Sequence, residues 1–417
     1  MIRKLKEEKS PIILYGAGER APFELNFLRE TFGIEPVAFC DKNLNIQKQG
    51  FLGLPVFDPL EATQKYSDGY FYITVGKQLK AEIYKDLVEK YYVPRERILN
   101  CFEKYKSCQW LENALYFRNG TISYCCDLGF KIPQIEWRET IEDTMETFTF
   151  YREELIRDNQ NPDKETPCRN CPDLIEAYWE IPRSIQVIGF NSDYPCHCRC
   201  IYCSHMVYRE QYAKEIDDCL KDFHPAEYLK YLLENKMIDL KTTRIDIASG
   251  EIELAPVKDE LLDFLYERNF ECVTVRSNGI VYDEKITKII KNKKSYLSIS
   301  LDSGTKETYQ KVKGVNAFER IAKNISLYRQ SLGNVHLKYI FLEDNCGEED
   351  IIGFINLCQK NHISAVTISC DIYFREDIPS KVLDGAKKMT EMAKKYHINI
   401  DFDRYFGEDA LKELRQI

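Results

Sequence analysis

The stretch YPCHCRCIYCSHM, Tyr194 to Met206, places four cysteines, two histidines and two tyrosines in thirteen positions. Within it Cys196, Cys200 and Cys203 have the spacing C-x3-C-x2-C. A loop of that spacing can wrap three thiolates around one face of a cubic iron–sulfur cluster, leaving the fourth iron without a protein ligand and open to a substrate or cofactor. The same three thiols, with Cys198 or His205 as a fourth ligand, would make a tetrahedral zinc site.

Other thiols are scattered through the chain, which has sixteen cysteines in 417 residues. Its opening, MIRKLKEEKSPIILYGAG, lacks the long apolar run of a secretory signal, so a cytoplasmic location is expected. A reducing compartment opposes structural disulfides and turns clustered thiols toward metal binding or catalysis. Hydrophobic content of 44% with 30% charge is that of a globular protein, and no segment is apolar for long enough to span a bilayer. The net charge of −9, with no block of basic residues interleaved with aromatics, weighs against nucleic acid as a partner.

The elements that must position these residues fall into three regions, 1–103, 104–183 and 184–417. In the first, PIILYGAG, EPVAFCDKN and GYFYITVGK read as buried strands alternating with helical stretches, which predicts a Rossmann-like parallel sheet. The second is a cysteine-rich connector with little periodicity and one clear helical run, ETFTFYREELIRDN. In the third, SIQVIGFN, TRIDIAS, CVTVRSN, YLSISLD, VHLKYIFL and AVTISCD read as six strands, separated mostly by helical stretches. Right-handed crossovers curl such steps into a partial (β/α)6 barrel, an α/β fold whose ligands sit at the carboxyl ends of the strands. The cysteine loop directly follows the first of these strands.

Loop and strand ends together resemble the radical S-adenosylmethionine (radical SAM) enzymes over roughly residues 184–403. That family carries C-x3-C-x-aromatic-C in its first barrel loop, and here Tyr202 takes the aromatic place, beside the cofactor's adenine by resemblance. Ser249, Gly250 and Glu251 end the second strand where the family has Gly-Gly-Glu, an element that contacts the methionine amino group; Ser249 is a departure from that pattern. Asn278 lies in SNG like the family's Thr-Asn-Gly, Ser300 and Asp302 match positions that contact ribose or carboxylate, and YQKVKG follows. The resemblance implies a [4Fe-4S] cluster with an open iron on Cys196, Cys200 and Cys203. It further implies reductive cleavage of S-adenosylmethionine, a 5′-deoxyadenosyl radical that removes a hydrogen atom from a substrate, and a flavodoxin- or ferredoxin-type electron donor. Lys338, within the fifth strand, is either a contact to the cofactor carboxylate or an outward-facing solvated lysine. Cys198 and both histidines of the loop are read as bystanders.

The connector holds Cys108 and Cys125 in a C-x11-G-x4-C spacing, then Cys168 and Cys171 in CRNC. This resembles the SPASM or twitch module, which implies an auxiliary [4Fe-4S] cluster, although relatives usually carry that module after the barrel. ALYFRNGTISYCC fits a hairpin turning at Asn119-Gly120, with Cys126 competing with Cys125 as ligand. A zinc site on the same four thiols is the alternative.

YGAGERA reads G-x-G-x-x-A, with Gly16 and Gly18 opening a helix and Asp41 ending the next strand, a pattern able to take a nucleotide. The domain looks like small Rossmann-type modules attached to enzymes that build glycans or modify nucleotide-linked sugars; a docking or scaffold domain is the alternative. Cys370, after the sixth strand, is a candidate hydrogen donor to a substrate radical, against the plainer reading of a buried packing cysteine. These readings converge on a radical enzyme acting on a small-molecule or carbohydrate substrate, a sugar or nucleotide-linked sugar. A peptide or protein maturase is one alternative, and a non-catalytic iron–sulfur or zinc regulator sensing a nucleotide is another.

Overall fold

The computed structural model describes residues 10–125, 134–181, 183–248, 250–374 and 377–417. The chain divides into two compact units, residues 1–113 with 149–184, and residues 114–148 with 185–417, so that residues 104–183 are distributed between them. Among the described residues no helix is long and apolar enough to cross a membrane.

The first unit is built on a parallel sheet of β1 (Ile12–Tyr15), β2 (Ala38–Cys40), β3 (Val56–Phe57), β4 (Tyr70–Ile73) and β5 (Ile98–Leu99) in the order β3-β2-β1-β4-β5. Strand alternation splits its core in two. Ile12, Leu14, Phe39 and Tyr72 pack on one face with Leu25 and Leu28, whereas Ile13, Cys40, Phe71 and Ile73 pack on the other with Leu87. This is the expected Rossmann-like arrangement, with its strand order reversing beside β1. A long antiparallel pair, β6 (Cys101–Ser107) with β10 (Ile175–Ile181), completes the unit. Glu112 is almost fully buried there, and its Oε2 takes both the Arg183 guanidinium at 2.5 Å and the Tyr105 hydroxyl at 3.0 Å.

The second unit carries one continuous sheet. It holds β7 (Ala114–Arg118), β8 (Thr121–Ser123), β9 (Ile135–Glu136), β11 (Val187–Phe190), β12 (Arg244–Ile247), β13 (Cys272–Ser277), β14 (Tyr296–Ser300), β15 (Val335–Phe341), β16 (Ala365–Cys370) and β17 (Asn399–Phe402). The six expected barrel strands are β11 to β16, in sequence order and parallel. The structure adds a parallel strand at each end, since β17 pairs with β16 and β7 pairs with β11. The expected hairpin at Asn119-Gly120 forms as β7 and β8, but as a lateral continuation of the barrel sheet.

Period-two burial explains how this sheet both packs and presents a site. In β15 buried and half-buried residues alternate strictly from Val335 to Phe341. Leu337, Tyr339 and Phe341 are fully buried on the face covered by the helices Phe318–Gln330 and Ser380–Lys395. Ile245, Val273, Val275, Leu297, Ile299, Val366 and Ile368 extend that apolar face across the neighbouring strands. The opposite face is polar, and register sets Asp246 beside Thr274, Arg276 beside Ser298, Ser300 beside Lys338 and Lys338 beside Thr367. Fully burying a leucine-sized side chain contributes about 1.5–3 kcal/mol, so the apolar face holds the strands while the other is left free for function.

Replacing Leu337 by Ala is therefore expected to lower the stability of this unit by about 2–5 kcal/mol. Ile352→Ala, on an exposed helix position, is expected to stay within about 0.5 kcal/mol of the parent. Denaturant unfolding followed by circular dichroism measures both.

Candidate cofactor site at the mouth of the barrel

The cysteine loop lies between β11 and the helix Ser204–Leu220, and backbone hydrogen bonds from two sides shape it. Arg199 N–H donates to the Lys313 carbonyl at 2.8 Å and Ile201 N–H to the Val312 carbonyl at 3.0 Å, tying the loop to the end of the helix Lys306–Lys313. Glu251 N–H donates to the Pro195 carbonyl at 3.0 Å from the other side. Two glycines make these approaches possible. Gly314 caps its helix at φ 70°, where a Cβ would lie 2.8 Å from the Arg199 carbonyl, and Gly250 sits at φ 59°, where a Cβ would lie 2.2 Å from the Tyr194 carbonyl.

Cys196, Cys200 and Cys203 line one cavity of about 210 Å³ together with Tyr202, His205, Gly250, Glu251, Arg276, Asn278, Ser300 and Lys313. The structure thus gathers loop, second, third and fourth strand ends around a single space. Ser249 lies outside the described residues. Cys198 also lines this cavity, although it is 1% exposed, its sulfur 3.8 Å from the Tyr309 hydroxyl. It still acts on its neighbours, because its N–H donates to the Cys196 sulfur at 3.4 Å and its thiol draws Cys196 and Cys200 below the ordinary thiol range. The Asn278 amide adds a contact to the Cys196 sulfur at 3.6 Å. Cys196 and Cys200 are thus biased toward thiolate, the form an iron–sulfur cluster binds, and Cys203 lines the same cavity, while among the described residues no three Cys, His, Asp or Glu side chains are already gathered in metal-holding geometry.

Beneath the loop lies a buried ion pair. Lys313 is 2% exposed and its ammonium contacts the Asp302 carboxylate, which is 0% exposed. The Tyr202 hydroxyl donates to the same carboxylate oxygen at 2.5 Å and takes a hydrogen bond from Lys313 at 2.8 Å. The second Asp302 oxygen accepts the Ile340 N–H at 2.7 Å. Asp302 is thus engaged entirely by the protein, and it supports Tyr202 from behind. Lys313 was not singled out from the sequence, where it reads as one of several lysines in a surface helix.

His205, a bystander by its place in the sequence, lines the cavity, and its Nδ1 lies 2.6 Å from Asp193 Oδ1. Asp193 is buried and also accepts Asn119 Nδ2–H at 2.6 Å. Burial opposes its charge, but the His205 and Asn119 hydrogen bonds outweigh it and hold the carboxyl below its usual range. Nothing in the local sequence marks this pair, because Asn119 and Asp193 come from separate strand ends.

The remaining predicted residues divide. Lys338 stands on the polar face with its ammonium 3.5 Å from Asp403, a residue just beyond β17. Cys370 is 2% exposed, does not line the cavity, and donates its thiol to the Tyr405 carbonyl at 3.2 Å. Burial, then Asp403 and Asp371, push that thiol up to about 12. In the first unit, Cys108 Sγ accepts the Leu111 N–H at 3.5 Å, while Cys171 N–H donates to the Cys168 carbonyl at 2.9 Å and closes the CRNC turn. Cys125 belongs to the second unit, and Cys126 lies outside the described residues. Asp41 accepts the Ala17 N–H at 2.8 Å and the Asn43 N–H at 2.8 Å, so its carboxylate holds the glycine turn itself. Gly16 packs against Val75, whereas Gly18 faces open space.

Residues 195–358 match the model of the Radical SAM superfamily. A GTP 3′,8-cyclase of Clostridium perfringens (strain SM101 / Type A) is 22% identical over 185 residues, 43% of this chain and 54% of that protein. A probable GTP 3′,8-cyclase of Saccharolobus islandicus (strain Y.N.15.51 / Yellowstone #2) is 23% identical over 186 residues, 44% of this chain and 56% of that protein. The chain spans about half the length of these curated relatives. Among solved structures, Streptococcus suis SuiB bound to precursor peptide SuiA aligns over 75% of both chains at 14% identity, with a TM-score of 0.41. The family match thus lies over the cysteine loop and the strand ends that face it, so that residues 195–358 are similar to the radical SAM superfamily at the cavity itself.

Proposed function

We propose that the protein is an enzyme that cleaves S-adenosylmethionine reductively and uses the resulting radical to take a hydrogen atom from a polar small molecule. The observation that carries this reading is the convergence of Cys196, Cys200 and Cys203 with Gly250, Glu251, Asn278 and Ser300 on one cavity. A [4Fe-4S] cluster held by the three cysteines would supply the electron, and S-adenosylmethionine on its open iron would supply the 5′-deoxyadenosyl group. The chain's own part is positioning. The Asp302–Lys313–Tyr202 network fixes the back of the loop, and the Gly250–Glu251 and Asn278 turns supply backbone and amide groups at its rim. The buried apolar face behind the strands excludes water from one side.

For the substrate we favour a sugar or nucleotide-linked sugar. The polar face of the barrel, with Asp246, Arg276, Ser298, Ser300, Lys338 and Asp403, supports a hydroxyl-rich ligand. The resemblance of the first unit to modules of glycan-building enzymes supports the same class, and the curated relatives are GTP cyclases, in which a nucleotide substrate has precedent. Cys108, Cys125, Cys168 and Cys171 remain the proposed ligands of an auxiliary cluster, and a flavodoxin- or ferredoxin-type protein the proposed electron donor.

Anaerobically reconstituted protein, reduced with dithionite, is expected to convert S-adenosylmethionine to 5′-deoxyadenosine and methionine, with Cys196→Ala, Cys200→Ala and Cys203→Ala each abolishing product. Chromatographic detection of no 5′-deoxyadenosine from the parent protein would sink the enzyme reading. Deuterium carried from a ring-deuterated nucleotide sugar into 5′-deoxyadenosine would support the substrate class; transfer from a peptide instead would overturn it.

Because Lys313 and Asp302 are both fully buried, Lys313→Met leaves an uncompensated carboxylate under the loop. It is expected to cost about 3–5 kcal/mol and to lower iron retention after desalting. Unchanged unfolding and iron content would show that the pair does not support the loop.

A further inference from the structure

Arg276 stands on the polar face of β13 and lines the same cavity as the three cysteines of the loop. Its Nε–H donates to Asp246 Oδ1 at 2.9 Å and its Nη2–H to Asp246 Oδ2 at 3.0 Å, a two-point bond between the neighbouring strands β12 and β13. Two parallel hydrogen bonds between planar groups fix the plane of the guanidinium as well as its position. They occupy only its side edge. An arginine has five N–H donors, and the two on Nη1 and the second on Nη2 lie outside this bond and meet no acceptor among the described residues. The side chain is 44% exposed although its carboxylate partner is only 19% exposed, so a pinned arginine offers a free end edge to the cavity.

The surroundings of that edge point to a neutral ligand. On β12 to β17 the polar face carries Arg244, Arg276 and Lys338, and against them Asp246, Asp401 and Asp403, the last 3.5 Å from the Lys338 ammonium. These charges balance, and a phosphate is concentrated only where positive charge is in excess. Hydroxyl oxygens need directed donors and no net field. Ser298 lies beside Arg276 in register, and Tyr296, two residues earlier on the same face, stacks on His336 with ring centroids 4.2 Å apart. A forked donor and a hydroxyl above an aromatic surface match a ring that has hydroxyls at its edge and C–H groups on its faces.

We propose that Arg276 is a specificity-determining residue whose free end edge donates to two neighbouring hydroxyls of the substrate's sugar ring, and that Asp246 is the positioning residue that aims it. Neither the cysteine motif nor the strand-end turns assign a part to this pair. The proposal rests on the reading of the barrel as a sugar-directed radical enzyme and names the groups by which the sugar is held.

The test uses the full chain with its cluster reconstituted, kept anaerobic and supplied with S-adenosylmethionine. Uridine diphosphate glucose and uridine diphosphate are titrated by calorimetry into the parent, Arg276→Lys, Asp246→Asn and the double variant, with unfolding midpoints measured alongside. Lysine keeps the charge but has no fork, so Arg276→Lys is expected to bind uridine diphosphate glucose about tenfold more weakly and uridine diphosphate within about twofold of the parent. Asp246→Asn is expected to lose part of the same affinity, and the double variant no more than Arg276→Lys alone, because Asp246 acts through the arginine. Equal losses for the two ligands would place the fork on phosphate and overturn the proposal, as would parent-like binding by Arg276→Lys. A loss of S-adenosylmethionine affinity as large as that for uridine diphosphate glucose would assign the arginine to the cofactor and overturn it too. Additive losses in the double variant would remove Asp246 from its role. If the parent forms 5′-deoxyadenosine yet binds uridine diphosphate glucose no better than uridine diphosphate, the sugar fork falls and the radical chemistry stands. If it forms no 5′-deoxyadenosine the proposed function falls, and the same titrations still decide the fork.

Discussion

The structure of the candidate site depends on a charge pair that water does not reach. Lys313 and Asp302 are both fully buried, and an ion pair in that environment is favourable only when geometry and further hydrogen bonds compensate the lost hydration. Here they do. Asp302 takes Tyr202 and Lys313 on one oxygen and the Ile340 N–H on the other, so three segments distant in sequence close on one carboxylate. The lysine that completes the pair is also the last residue of a helix, and its carbonyl accepts the Arg199 N–H. Charge and backbone therefore fix the same few residues, and the loop between Cys196 and Cys203 has little freedom left.

That arrangement separates support from contact. Ser300, Asn278 and Gly250 face the cavity with small or uncharged groups, whereas the charged Asp302 does not line it and is turned inward to serve the scaffold. Cys198 follows the same logic, since it hydrogen-bonds neighbouring sulfurs from a buried position. A thiol without ligand spacing thus shapes the electronic environment of those that have it.

Much of this was legible in the residues. The cysteine spacing, the order of strands β11 to β16 and the turns that end them are local patterns, and each lies within a few residues of chain. What escaped is non-local. The strand β17 is four residues long and half exposed, so its alternation is too weak to separate from a loop, and with it Asp403 was missed. The hairpin of β7 and β8 was visible from its Asn-Gly turn, but its parallel pairing with β11 is a choice of partner that no local pattern encodes. Lys313 and the His205–Asp193 pair look like ordinary surface residues until tertiary packing buries or pairs them. Partners far along the chain complete them, Tyr202 for Lys313 and Asn119 for Asp193.

The pairing of β7 with β11 also has a bearing on how this protein can be made and cut. Strand β7 leaves the ribosome some seventy residues before its parallel partner, and residues 149–184, which intervene, belong to the other unit. The barrel sheet is therefore interrupted in the chain, and its first edge must wait for a distant segment, a loop-closure cost that slows assembly more than it weakens the final state. A fragment begun at residue 184 would lack β7 to β9 and leave the backbone of β11 bare along one side, an invitation to strand-to-strand aggregation. The two units are thus heritable only together, because neither corresponds to an uninterrupted stretch of sequence.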